Sequence, residues 1–167
     1  MKHLLILSFI CLFMTGVIGQ EKRASPLIHK SKIVKNVQVT IQYSQTSMRE
    51  RTIFGDLVPF DQVWRTGANE ATVLQFNKSV NLNGKPLKAG KYSLFTVPGE
   101  KKWTVIINKI WSQWGSYNYD ETKDVLRFEV ESMYSEKHEK LNIDVNSEGL
   151  FRLMWEETAI EFILDKF

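Results

Sequence analysis

Apolar and polar residues alternate along most of this chain with a period of two, the signature of strands that bury one face. From Val37 the side chains Val37, Val39, Ile41 and Tyr43 fall on one face, and Gln38, Thr40 and Gln42 on the other. Thr72 to Asn77 carries β-branched and aromatic residues and predicts a second strand. Asn83-Gly84 joins Val80-Asn81-Leu82 to Lys85-Pro86-Leu87, a short hairpin that Pro86 assigns to a sheet edge. Lys91 to Val97 and Lys102 to Asn108 alternate well around Pro98-Gly99-Glu100-Lys101 and predict an antiparallel pair. Asp124 to Glu131, Lys140 to Val145, Leu150 to Glu156 and Ala159 to Leu164 are further strand candidates, with Asn146-Ser147-Glu148-Gly149 as a turn before the third. No segment after residue 19 sustains a helical period. The expected fold is therefore all-β, a two-layer antiparallel sandwich or jelly roll of roughly eight to ten short strands.

The N-terminus breaks this pattern. Lys2 and His3 precede an almost wholly apolar run from Leu4 to Met14, and Val17-Ile18-Gly19 follows, the layout of a secretory signal peptide. An apolar stretch of roughly 11 to 15 residues is short of the ~20 that a membrane-crossing helix needs. Cleavage near Gly19 is expected, leaving an exported protein, periplasmic or secreted, without a transmembrane segment. Cys11 is the single cysteine and lies within that run. The preceding Ser8-Phe9-Ile10 does not suit lipoprotein processing, and no disulfide can support the mature fold. The expected organisation is a signal peptide over 1–19, an N-terminal extension over 20–35 and one domain over 36–167.

Charge narrows the partners. The 22 Lys and Arg residues against 19 Asp and Glu give a net charge of +3, and the basic positions are scattered. With no basic stripe or aromatic RNA-binding signature, nucleic acid is not an expected partner. His29 and His138 lie far apart in sequence with no cysteine companions, so no metal site and no cofactor are expected. The acids Asp120, Glu121 and Asp124 are closely spaced but lack the glycine turn and distal Glu of an EF-hand loop, and read as a solvated turn.

Two segments carry unusual chemistry. Val63-Trp64-Arg65-Thr66-Gly67-Ala68-Asn69-Glu70 places a ring, a guanidinium, an amide and a carboxylate close together. Arg65 offers a planar fork of donors, Trp64 an apolar wall, and Asn69 and Glu70 orienting bonds, so these four are candidate ligand contacts. The competing structural reading has Arg65 stacked on a ring and paired with Glu70 or another acid. The second segment, Trp111 to Asp120, contains four rings among Ser, Gln and Asn residues. Trp114 and Tyr117 are candidates there for stacking against a sugar, or else the rings fold back to cap the sandwich.

The succession Arg51-Thr52-Ile53-Phe54-Gly55-Asp56-Leu57-Val58-Pro59, Val63-Trp64-Arg65-Thr66-Gly67-Ala68-Asn69-Glu70-Ala71-Thr72, Ala89-Gly90-Lys91-Tyr92-Ser93-Leu94-Phe95-Thr96 and Trp103-Thr104-Val105-Ile106-Ile107-Asn108 resembles a family of exported bacterial proteins catalogued as domain of unknown function 2911. The resemblance runs from about Ala24 to Lys166. Gln45-Thr46 departs from it, since relatives tend to carry a proline in this turn. The resemblance implies export and a β-rich fold, and brings no activity, substrate or catalytic residue. From the residues themselves, the expected function is a non-enzymatic module binding a small polar ligand, a glycan or an envelope partner. The alternatives are a structural or protein-interaction domain, and a hydrolase of envelope or polysaccharide material using Glu70 as acid or base.

Overall fold

In a computed structural model that describes residues 23–166, the period-two segments become antiparallel strands. They are β1 (Leu27–Val34), β2 (Val37–Ser44), β3 (Ala68–Phe76), β4 (Val80–Leu82), β5 (Lys85–Leu87), β6 (Gly90–Val97), β7 (Lys102–Asn108), β8 (Asp124–Val145) and β9 (Leu150–Lys166). They form one nine-stranded sheet in the order β1-β2-β3-β6-β7-β8-β9-β4-β5. The helical content of the described residues is a single 3₁₀ turn, Glu121–Lys123. The expected signal peptide lies outside the described residues. No helix among them is long and apolar enough to cross a membrane.

The all-β antiparallel expectation holds, but the strands are longer and more continuous than expected. The four candidates after Asp124 merge into β8 and β9, and this merger folds one sheet into two layers. The first part of β8 pairs with β7, from Asn108↔Asp124 to Lys102↔Glu131. The remainder pairs with β9, from Ser132↔Ile160 to Val145↔Phe151. Register shifts between Tyr134, His138 and Asn142 bend the strand, as bulges do by leaving residues unpaired and raising the local twist. The inner faces of the two layers enclose one core in which Val39, Ile41, Leu74 and Leu94 meet Ile143, Phe151, Leu153 and Phe162.

β6 and β7 are apolar on both faces, with Leu94 next to Phe95 and Val105 next to Ile106. Leu94 and Val105 face the main core. Phe95 and Ile106 lie on the outer face with Ala71, beneath Val63, Val97 and Tyr119. The Trp111 to Asp120 connection is therefore anchored by the covered outer face of the first layer.

β1 lies within the stretch expected to be an extension. Its alternation is hidden because two of its inward positions are lysines. Lys30 Nζ donates to Ile143 O at 2.9 Å and Lys32 Nζ to Val145 O at 3.0 Å, and both contact the Asp144 carboxylate. Further along, Gln45 Nε2 donates to Leu141 O and Met48 N to Glu139 O. These bonds satisfy carbonyls at every second residue on the free edge of β8, which would otherwise template pairing with another chain.

Trp155, 1% exposed, stacks on Trp64 and meets Phe54 edge-on, so Trp155→Ala should cost about 3–5 kcal/mol in chemical denaturation. Burial raises the pKa of Asp144, but the hydrogen bonds and charges of Lys32, Val145 N–H and Lys30 outweigh it and hold the pKa below its ordinary value of 3.8. The contribution to stability is therefore complete above that value and is lost as pH falls through the lower folded-state value. Asp144 is 35% exposed, so solvent screening limits it to about 1 kcal/mol. Urea midpoints measured from about pH 6 to about pH 3 should fall less for Asp144→Asn than for the parent chain.

Candidate functional site

The long connection between β2 and β3 is fixed by its own backbone. Glu156, at a left-handed bulge in β9 (φ 58°), accepts from Ile53 N at 3.2 Å and Phe54 N at 3.3 Å. Trp64 then pairs with Thr96, donating from N at 2.7 Å and accepting at O at 3.0 Å. Its ring is 8% exposed, lies against Trp103, Trp155 and Phe54, and donates from Nε1 to Gly67 O. Trp64 is thus packed in the core, and it also contributes to the lining of a shallow groove.

Thr66 turns the corner at φ 55°. A β-branched residue in this left-handed region is an outlier costing on the order of 1–3 kcal/mol. Its surroundings hold it there: the hydroxyl contacts Trp64 O and Thr96 Oγ1, and the carbonyl accepts from Thr72 Oγ1 at 2.6 Å. A Cβ on Gly67 would sit 3.2 Å from both Ser44 O and Thr72 Oγ1, so a side chain there must displace backbone.

Arg65 and Glu70, expected either to share a ligand or to pair with each other, are separated. Glu70 receives a bidentate ion pair from Arg23 at 2.8 and 3.1 Å, plus Ser44 Oγ at 3.2 Å. Asn69, at φ 56°, donates from Nδ2 to Ser25 O. Both residues therefore tie the segment around Arg23 to the start of β3. Arg65 has no carboxylate partner among the described residues, and its buried Nε has no hydrogen bond.

The aromatic connection docks on β3 next to Glu70. Ala71 N donates to Gln113 O at 3.0 Å and Gly115 N to Asn69 O at 2.9 Å, so Trp114 pairs with Glu70 as one rung of a ladder. Of the four rings, Tyr119 packs on Phe95 and donates to Asp124. Trp111 carries Lys91 Nζ 3.6 Å from its ring centre. Trp114 and Tyr117 are 58% and 83% exposed.

A groove of about 310 Å³ lies beside this rung, lined by Gln42, Glu70, Val73, Trp111, Ser112, Gln113 and Trp114. Gln113 Nε2 donates to Ile110 O, while its buried Oε1 has no partner. A second groove of about 190 Å³ holds Arg65 and reaches Ser116 on the same connection. Of the candidate residues, Glu70 and Trp114 share the first groove and Arg65 lines the second. Tyr117 lines neither. Sequence reasoning missed Gln42 and Arg23. Gln42 had a signal, being a polar residue on the outward face of β2, whereas Arg23 had none.

The closely spaced acids are used internally. Asp120 caps the 3₁₀ turn through Thr122, and Asp124 accepts from Tyr119, Asn108 and Arg127. Among the described residues no three His, Cys, Asp or Glu side chains gather to hold a metal ion.

The family whose proteins are described as "protein of unknown function (DUF2911)" matches residues 25–164. The chain belongs to the DUF2911 family. Neither the curated proteins nor the solved structures provide a match. In this DUF2911 protein the matched stretch contains all of the strand framework except the end of β9, and it includes both grooves.

Burial raises the pKa of Glu70, but the hydrogen bonds from Arg23 and Ser44 outweigh it and hold the carboxyl below its ordinary value of 4.5. Carbon-detected NMR titration should give a Glu70 midpoint below that value, and Arg23→Ala should move it upward.

Proposed function

We propose that this protein is an exported, non-enzymatic binding module whose groove between Glu70 and Trp114 receives a glycan or a comparably hydroxylated small molecule. The observation that carries this reading is the 58% exposed Trp114 ring beside the Glu70 carboxylate in one groove. The ionised carboxylate only accepts hydrogen bonds, which favours a ligand that donates. A sugar has hydroxyl donors along its rim and an apolar C–H face suited to stacking on indole.

The low pKa of Glu70 supports binding over acid catalysis. A general acid near neutral pH needs its carboxyl pKa raised, and the Arg23 pair acts in the opposite direction. Export is supported by the apolar run in residues 1–19 and its flanks.

Titration of the purified chain with soluble glycans, followed by tryptophan fluorescence and calorimetry, tests this reading. Trp114→Ala should weaken a bound glycan about 3- to 10-fold, consistent with the loss of one aromatic contact. Gln113→Glu places a carboxylate at the same position and should change the ranking among glycans. A glycan whose affinity is unchanged by both variants, or a panel without saturable binding, would overturn the proposal.

A further inference from the structure

We infer that the outer edge of β1 is a self-association surface, on which a second copy of this chain pairs antiparallel and continues the first layer across a two-fold axis at Lys30. β1 is a terminal strand of the sheet. The two-residue turn at Lys35 and Asn36 makes Val34↔Val37 a hydrogen-bonded pair, and Pro26 O accepts from Gln45 N in the same phase. Gln38, opposite Ile33, instead bonds Asn77 through both its N–H and its C=O. The N–H and C=O groups of Leu27, His29, Ser31 and Ile33 therefore point away from β2, and they have no partner among the described residues. The side chains of these residues are all exposed.

The other open edges are protected. β5, at the opposite end of the sheet, is three residues long and carries Pro86, two devices that blunt pairing. Carbonyls on the open side of β8 are taken by Lys30, Lys32, Gln45 and Met48. β1 has eight residues without proline, and its register with β2 runs unbroken from Leu27 to Val34. Unmatched lysines on its inner face would deter pairing. Lys30 and Lys32 are instead drawn across to the second layer, where both contact Asp144.

The residue pattern selects a second copy as the occupant. Leu27 is 45% and Ile33 69% exposed, and they stand equally far on either side of Lys30. A two-fold centred there sets Leu27 opposite Ile33 of the second copy and His29 opposite its Ser31, all as hydrogen-bonded pairs on the outer face. Centred on His29, the axis would oppose two imidazoles and set Ile33 against Ser25. Centred on Ser31, it would set Ile33 against His29 and Leu27 against Lys35. A slip by one residue would oppose bonding groups to groups already used within the chain. The Lys30 register alone seats both exposed apolar side chains against each other. This edge shares no residue with either groove, so it is independent of the glycan reading.

Sedimentation of the mature chain from Gln20 over a concentration series tests the inference, and should show a reversible monomer–dimer equilibrium. Ile33→Lys replaces an apolar contact with a charge and should weaken dimerisation about tenfold or more. Ser31→Pro removes an N–H that the chain does not use internally, so it should weaken the dimer while leaving the urea midpoint of the monomer near that of the parent. Leu27→Cys combined with Ile33→Cys should give a covalent dimer under mild oxidation, because hydrogen-bonded partners bring Cα atoms to about 5.5 Å, within disulfide reach. His29→Cys combined with Ile33→Cys is out of register and should not. Trp114→Ala should leave association unchanged, which separates this result from that of the glycan proposal. A chain monomeric at every soluble concentration, a dimer that survives both Ile33→Lys and Ser31→Pro, or equal cross-linking of the two cysteine pairs would overturn the inference.

Discussion

The packing of Trp64 between the layers is the interaction on which the remaining architecture depends. Its ring stacks on Trp155 of β9 with centroids 5.9 Å apart, and meets Trp103 of β7 and Phe54 edge-on. These four rings join the first layer, the second layer and the β2–β3 connection in one contact. The sequence has a single cysteine, so no disulfide within the chain can substitute for it. Aromatic pairs in such geometries contribute about 0.5–1.5 kcal/mol each beyond the area they bury. The connection gains its order from that cluster and from Glu156, and Arg65 is aimed by what fixes its neighbour.

What the sequence made legible divides along the same line. Strands with one apolar face, such as β2, could be read directly, as could the Asn83-Gly84 hairpin and the pair around Pro98. The continuity of β8 could not, because the register shifts near His138 interrupt the period of two where the strand passes between layers. β1 was obscured by Lys30 and Lys32, which face inward to bond the edge of the opposite layer. Alternation identifies faces by polarity, and these side chains are polar at the tip but extend apolar stems across the gap.

The candidate site was legible as a locality and not as a geometry. A tryptophan next to an arginine, an amide and an acid suggests a shared ligand, and the unusual residues do converge on one region of the first layer. Side chains alternate along an extended chain, however, and the corner at Thr66 interrupts that alternation. Trp64 therefore enters the core, Arg65 faces outward, and Glu70 emerges farther along toward Arg23 and Ser44. No local signal identified Arg23 as the partner of Glu70, because their pairing depends on β1 lying beside β2.

The connection from Lys109 to Asp120 borders both grooves, through Trp111 to Trp114 on one side and Ser116 on the other. It is clamped at its base by Asn108, which bonds Asp120 O, Asp124 and Ile110 N, and at its middle by the rung between Glu70 and Trp114. Both clamps use backbone groups of the connection, so its course does not depend on the conformation of its exposed rings. Toward Gln42 the lining brings the Glu70 carboxylate beside the Trp111 and Trp114 rings. Toward Leu57 the lining brings Arg65 together with Gln62 and Ser116 among Val58, Pro59 and Val63. Arg23, in the segment leading into β1, is the partner that Glu70 takes instead, so the start of β3 is tied to the N-terminal edge of the sheet by charge as well as by the Asn69 bond to Ser25 O.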